Sequence, residues 1–229
     1  MIEVTRVEDT LNGGFGGLYG EVVDCDTYRL KQLNFMPEIV FDIGANVGIF
    51  SRYARTLFPD ACIIAVEPDE ANVHNFRRFT FDSNTVLVQA AIGVGDVYRV
   101  MGAVNGAHEA YFTKGLGYPD KDLPNAHYQL STVCSIRLYD IILAYRAPGQ
   151  RTFLKLDCEG GENSIWGDVE TMNLLKKLDA ISIELHYHAA HGGPIYDEMR
   201  RVTDEALASF AETHQCELDG CHFHARKKI

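Results

Sequence analysis

The chain has 229 residues, enough for one α/β domain with elaborations and a sizeable buried core. Hydrophobic residues make up 46% and charged residues 23%, which excludes a disordered chain. The formal net charge of −11 argues against DNA, bulk RNA or an anionic membrane surface as the partner.

The basic cluster Arg226, Lys227, Lys228 at the end of the sequence reads as a solvated tail. The start carries charge from Glu3 onward and lacks the apolar core of a secretory signal, and no apolar run approaches a membrane span. The six cysteines (Cys25, Cys62, Cys134, Cys158, Cys216 and Cys221) are scattered, with Cys62 and Cys158 inside strand-like segments. Reduced thiols in a cytoplasmic protein are the expectation.

In chain order, residues 1–36 form an N-terminal extension expected to pack on the domain that follows. Its LNGGFGGLYG stretch predicts a glycine-rich loop or turn, and DTYRLKQL a short helix. From residue 37 onward apolar strands alternate with amphipathic helices. Residues 38–44 (EIVFDIG) predict a buried strand, followed by a helix with Ile49, Phe50, Tyr53, Ala54 and Leu57 at helical spacing. Residues 62–68 (CIIAVEP) predict a second strand. The next helix starts near Asp69, which can cap its first N–H groups, and buries Val73 and Phe76.

Residues 85–93 (TVLVQAAIG) predict a third strand. An insertion over about 97–140 predicts a hairpin through Asn105-Gly106 and then a loop to about Leu130. SIRLYDIIL after it suits a short strand or a helix. Residues 151–160 (RTFLKLDCEG) predict a fourth core strand. A helix over 162–177 is expected to bury Ile165, Trp166, Val169 and Met172. Residues 180–188 (AISIELHYH) predict a fifth strand, and a helix over 195–213 presents Ile195, Met199, Val202, Ala206 and Phe210. A hairpin-like strand pair closes the chain. Alternating β and α elements imply a mostly parallel twisted sheet with helices on both faces and an antiparallel last strand. Ligands of such sheets bind at the carboxyl ends of the strands.

Those ends carry the chemistry. After the first strand comes Asp42-Ile-Gly44-Ala-Asn46-Val-Gly48, leading straight into a helix. Glycines allow a sharp turn and close backbone approach, and the helix N-terminus attracts an anion such as a carboxylate or a phosphate. Asp42 offers an acceptor for an ammonium group. After the second strand comes Glu67-Pro68, at the spacing where an acidic side chain meets ribose hydroxyls. The pattern D-x-G-x-N-x-G departs from the glycine order of dinucleotide oxidoreductases.

VFDIGANVGIFSRYA, AVEPDEANVHNF and LKLDCEGGE, in this order, resemble the FkbM family of S-adenosylmethionine-dependent methyltransferases, from about Glu38 to His188. The resemblance implies a Rossmann-like class I methyltransferase fold and S-adenosyl-L-methionine as cofactor. It places Asp42, Gly44, Asn46 and Gly48 in the cofactor loop and Glu67 at the acidic strand end. Pro68 and Ala91 complete the expected cofactor-binding set. Gln89-Ala90-Ala91 stands where many methyltransferases carry an acidic residue that reads adenine. Asp157, Glu159, Gly160 and Glu162 would lie beside the transferred methyl.

Methyl transfer from a sulfonium needs an acceptor held in line, and a hydroxyl acceptor gains from a general base. Asp157, Glu159 and His186 are the candidate catalytic residues, with Asp157 or His186 taking the proton. Glu184, His186 and His188 fall at period two and so share a strand face. Asp157, Glu159, His186 and His188 are also suitable ligand types for a divalent ion, but no metal is assigned. Cys216, Cys221, His222 and His224 fit no common zinc spacing. Aromatic residues between 103 and 131, including Tyr111, Phe112, Tyr118, His127 and Tyr128, suit a lid, a sugar-stacking loop or a packed surface loop. The expected activity is O-methylation of a hydroxyl on a sugar, glycan or small natural product. A non-catalytic S-adenosylmethionine-binding module and a nucleic-acid methyltransferase are the alternatives.

Overall fold

The computed structural model describes the backbone of residues 16–79, 82–93, 97–104, 107–112, 129–186 and 194–228. A short helix α1 (Gly16–Tyr19) runs into a π-turn over Gly20–Asp24 and a 3-10 turn over Leu30–Gln32. The described part of the glycine-rich stretch is thus helical rather than a loop. The segment expected as a helix over DTYRLKQL tightens to three residues after Arg29, whose φ of 59° breaks a helix.

The main sheet is built from β1 (Ile39–Ile43), β2 (Cys62–Val66), β3 (Thr85–Val88), β9 (Thr152–Leu156), β10 (Ala180–Glu184), β11 (His214–Asp219) and β12 (His222–Lys227). Its order is β11-β12-β10-β9-β1-β2-β3. The five strands from β3 to β10 run parallel, and β12 and β11 are antiparallel. Helices α2 (Ile49–Leu57), α3 (Glu70–Phe79), α4 (Leu138–Tyr145), α5 (Asn163–Trp166), α6 (Val169–Leu175) and α7 (Pro194–Ala208) cover it. This is the Rossmann-like α/β architecture expected of the sequence.

Every residue of β1 is buried, because the strand lies mid-sheet between two helical layers. Its side chains alternate between those layers. Ile39, Phe41 and Ile43 face a core with Leu138, Ile142, Ile165 and Phe210. Val40 faces α2 and the N-terminal segment, where Val22, Tyr28 and Leu30 pack on Phe50 and Tyr53.

Several boundaries differ from the sequence reading. Residues 85–93 are not one strand: β3 ends at Val88, and β4 (Ala91–Ile92) leaves the sheet to pair with β8 (Ser135–Ile136). SIRLYDIIL therefore supplies both a strand and a helix. The expected helix over 162–177 is two, broken at Gly167 and restarted by Asp168, whose side chain accepts from the N–H groups of Glu170 and Thr171. That break turns Val169 outward, 71% exposed, instead of burying it. β10 stops at Glu184, and α7 gives way to a 3-10 turn over Ser209–Glu212 that buries Phe210. In the insertion, β5 (Val97–Val104) pairs antiparallel with β6 (Ala107–Phe112) and also with β7 (Gln129–Val133). The Asn105-Gly106 turn, residues 113–128 and His188 lie outside the described residues, as do the side chains of the insertion's aromatics. Among the described residues no helix is long and apolar enough to cross a membrane.

Candidate active site

β1 has β2 on one side and β9 on the other, so the order of the chain reverses between β1 and β9. A crevice opens at such a switch point, outside the carboxyl ends of the strands. Ile43 is in register with Leu156, so Gly44 and Asp157 leave the sheet side by side. Their contact is so close that a Cβ on Gly44 would sit 1.6 Å from the Asp157 carbonyl oxygen. Gly44 (φ 77°), Asn46 (φ 50°) and Gly48 (φ 91°) all take left-handed backbone, turning the loop into α2 within five residues. Asn46 steadies this turn by accepting the Val47 N–H at 2.7 Å.

The resulting cleft is lined by Gly44, Asn46, Val47, Phe50 and Lys155 together with Tyr28, Asp157, Glu159, Glu184 and Glu21. Its volume of about 210 Å³ falls short of the ~300–1,000 Å³ common for ligand pockets. Four carboxylates and one ammonium in the wall favour a cationic group. Burial, with Glu184 and Asp157 nearby, raises the pKa of Glu21.

Sequence reasoning missed Lys155. Its ammonium is 4% exposed, lies 3.0 Å from Asp157 Oδ2 and 3.4 Å from Asp42 Oδ1, and donates to the Gly44 carbonyl at 2.7 Å. The rings of Tyr28 and Phe50 flank it at 5.2 and 5.8 Å. Burial disfavours its charge, but Asp157 and Asp42 outweigh that and hold it firmly protonated. The available signal was register: Lys155 stands opposite Asp42 on neighbouring strands. Tyr28 was also missed. Its hydroxyl lies 2.8 Å from Asp157 Oδ2 and 3.1 Å from Glu184 Oε2, and burial and these carboxylates keep the phenol neutral.

Two of the expected cofactor-binding residues do not open onto the cleft. Asp42 is fully buried, accepting from Ser51 Oγ at 2.6 Å and facing Lys155, so the ammonium it meets belongs to this chain. Ala91 is 1% exposed, with its N–H given to the Cys134 carbonyl, and presents no surface to the cleft. Pro68 is half-buried beside Glu67. Glu67 is 4% exposed and accepts from Asn46 N and Asp69 N, both at 2.8 Å, and from Asn72 Nδ2 at 3.3 Å. A carboxylate offers about four acceptor sites, so room for one further donor remains. Burial pushes the Glu67 carboxyl up to about 7 against these bonds.

The second loop carries Asp157, Glu159 and Glu162. Glu162 is fully buried, not open to the cleft. One oxygen accepts from His186 N and His186 Nδ1, both at 3.1 Å, and the other from Gly160 N at 3.0 Å. That bond aims Nε2 of His186 at Asp157 Oδ1 (3.4 Å) and Glu159 Oε2 (3.5 Å). Burial opposes charge on the imidazole, yet Glu162, Asp157 and Glu159 raise its pKa far above the usual histidine range. As placed, His186 is held protonated by the three carboxylates around it. Asp157 is held well below the usual carboxylate range: burial works against its charge, and Lys155 and His186 overcome it. Glu184 ends β10 at the cleft, and His186 follows in the turn beyond it.

A mostly parallel α/β sheet with its loop site at the β1–β9 switch defines a Rossmann-like fold. A solved structure of this fold, a putative caffeoyl-CoA O-methyltransferase from Staphylococcus aureus, superposes with a TM-score of 0.52 at 9% identity, over 97% of this chain and 96% of that one. The model of the methyltransferase FkbM domain matches residues 42–209, and the chain belongs to that family of S-adenosylmethionine-dependent methyltransferases. Among curated relatives, the 31-O-demethyl-FK506 methyltransferase FkbM of Streptomyces tacrolimicus is 26% identical over 185 residues, 67% of this chain and 68% of the relative.

Proposed function

We propose that this chain methylates a hydroxyl oxygen on a sugar, glycan or small natural product. The observation that carries this reading is the meeting of the Gly44–Gly48 loop with the Asp157–Glu159 carboxylates in one acidic cleft. S-adenosylmethionine, when bound, supplies a methyl group on a sulfonium. The positive N-terminal end of α2 beside Val47 suits a carboxylate, and the acidic wall suits an ammonium and a sulfonium. Glu67 has one acceptor site for a ribose hydroxyl. The curated relative's name describes a substrate lacking a methyl on oxygen, which supports an oxygen acceptor here.

Asp157 and Glu159 face the space where an acceptor would sit, and Glu159 is the more open of the two, with its side chain 30% exposed. They orient the acceptor, and Glu159, as the more open, receives its proton. Calorimetry with S-adenosylhomocysteine tests the cofactor half, and micromolar binding is expected. Labelled methyl transfer to a panel of hydroxyl, amine and thiol acceptors tests the rest. Asp157→Asn should lower turnover far more than cofactor affinity. Transfer confined to nitrogen or sulfur, or binding with no transfer to any acceptor, would refute the O-methyl reading.

A further inference from the structure

Nε2 of His186 makes long ion pairs with both Asp157 and Glu159. Nε2 of His186 lies 3.4 Å from Asp157 Oδ1 and 3.5 Å from Glu159 Oε2. Good N–H···O bonds are about 2.7–3.2 Å, and charged ones shorter still. The edges of a coordination shell have another length. Ligands about 2.1 Å from a tetrahedral centre stand about 3.4 Å apart. The three donor atoms all lie within 4.8 Å of one another.

The imidazole is also held as a metal ligand is held. Its Nδ1 donates to Glu162, a fully buried carboxylate anchored by Gly160 N and His186 N, which fixes the ring and directs Nε2 outward. An outer carboxylate behind a histidine is the usual means of setting tautomer and ring orientation in metal sites.

We propose that Asp157, Glu159 and His186 bind one divalent transition-metal cation through one oxygen of each carboxylate and Nε2, with Glu162 as the residue that orients His186. Two carboxylates and one imidazole suit a borderline ion such as manganese(II) or zinc(II). The ion would hold the acceptor hydroxyl at the cleft and ease loss of its proton, a use that rests on the O-methyl reading above.

The test uses chelator-stripped full-length protein titrated with Mn²⁺, followed by electron paramagnetic resonance and calorimetry, alongside S-adenosylhomocysteine binding on the same samples. One equivalent of Mn²⁺ should bind. His186→Gln and Glu159→Gln should each weaken it about tenfold or more, and Glu162→Gln about 10–100-fold. Glu205→Gln, on the exposed face of α7, should leave it unchanged. Because Glu159 is partly exposed, its variant is expected to fold even where a Glu162 variant does not. Absence of stoichiometric Mn²⁺ binding, or binding lost with Cys221→Ser but kept in His186→Gln, would overturn the proposal. The latter would assign the ion to Glu184, Cys221 and His222 instead. Intact S-adenosylhomocysteine binding in those samples would leave the methyltransferase reading standing.

Discussion

Lys155→Met isolates the charge at the centre of the fold. The ammonium is 4% exposed, within 3.4 Å of two carboxylates and bonded to the Gly44 carbonyl. Methionine keeps most of the volume and removes the charge. Asp157 retains the Tyr28 hydroxyl and partial exposure, so the penalty concentrates on Asp42, whose side chain has no exposure at all. Breaking a buried pair by removing one partner costs about 3–5 kcal/mol. For a domain of this size that corresponds to a loss of roughly 6–20 °C in Tm. Urea denaturation at pH 7.5 should show the deficit. It should shrink at pH 5, because burial already raises the Asp42 pKa and removal of Lys155 raises it further, so the stranded carboxylate takes up a proton. Lys155→Met/Asp42→Asn should recover most of the loss. A single variant within about 1 kcal/mol of wild type at pH 7.5, or a deficit that Asp42→Asn leaves untouched, would refute the account.

Gly44→Ala, with φ at 77° and a Cβ driven to 1.6 Å from the Asp157 carbonyl, should cost about 2–4 kcal/mol and weaken S-adenosylhomocysteine binding, both read by denaturation and calorimetry. Glu67 has its folded pKa raised to about 7, so the stability tied to its proton is present below the unfolded value of 4.5 and lost as pH rises through 7. That amounts to about 3 kcal/mol at most, and Glu67→Gln should flatten the stability slope between pH 5 and 8; equal slopes would contradict it. His224 is buried against Ser182 Oγ at 2.8 Å, and burial, with Arg29 and His222, lowers its pKa to about 4. Its ring should stay neutral in an NMR titration down to that pH, and the stability it contributes should fall as pH drops from about 6.5 toward 4. Asp168→Ala removes the cap of α6 and the carboxylate that Arg137 grips at 2.9 Å, and should lower stability by about 1–2 kcal/mol in urea.

The strand and helix order was legible because buried parallel strands leave unbroken apolar runs and their helices keep a 3.6 period. The Gly44–Gly48 turn was legible for a similar reason, since left-handed backbone needs glycine or asparagine and the sequence shows them there. Asp69 as a cap was legible too: its Oδ1 accepts from Ala71 and Asn72 N–H groups at 2.7 and 3.0 Å. What failed depended on distance in the chain. Tyr28 meets Asp157 across 129 residues, and no local pattern announces that pairing. Lys155 reads as an isolated polar position in an apolar strand until β1 and β9 are placed in register. Glu162 stands in a recognisable block, yet its burial behind His186 appears only once the loop after β9 folds back. Asp42 was placed in the site, but its alternation on β1 turns it inward toward Ser51 rather than out toward a ligand.

These long-range contacts join the two loops into one unit. Gly44 rests on the Asp157 carbonyl, Lys155 Nζ ties the Gly44 carbonyl to the Asp157 carboxylate, and Asp42 holds Lys155 from the strand below. The Gly44–Gly48 loop and the loop after β9 are therefore tied together at their bases. The proposed methyl transfer would draw on that coupling, because donor and acceptor must align to within fractions of an ångström. Tyr28 extends the same unit to Glu184 and the N-terminal segment.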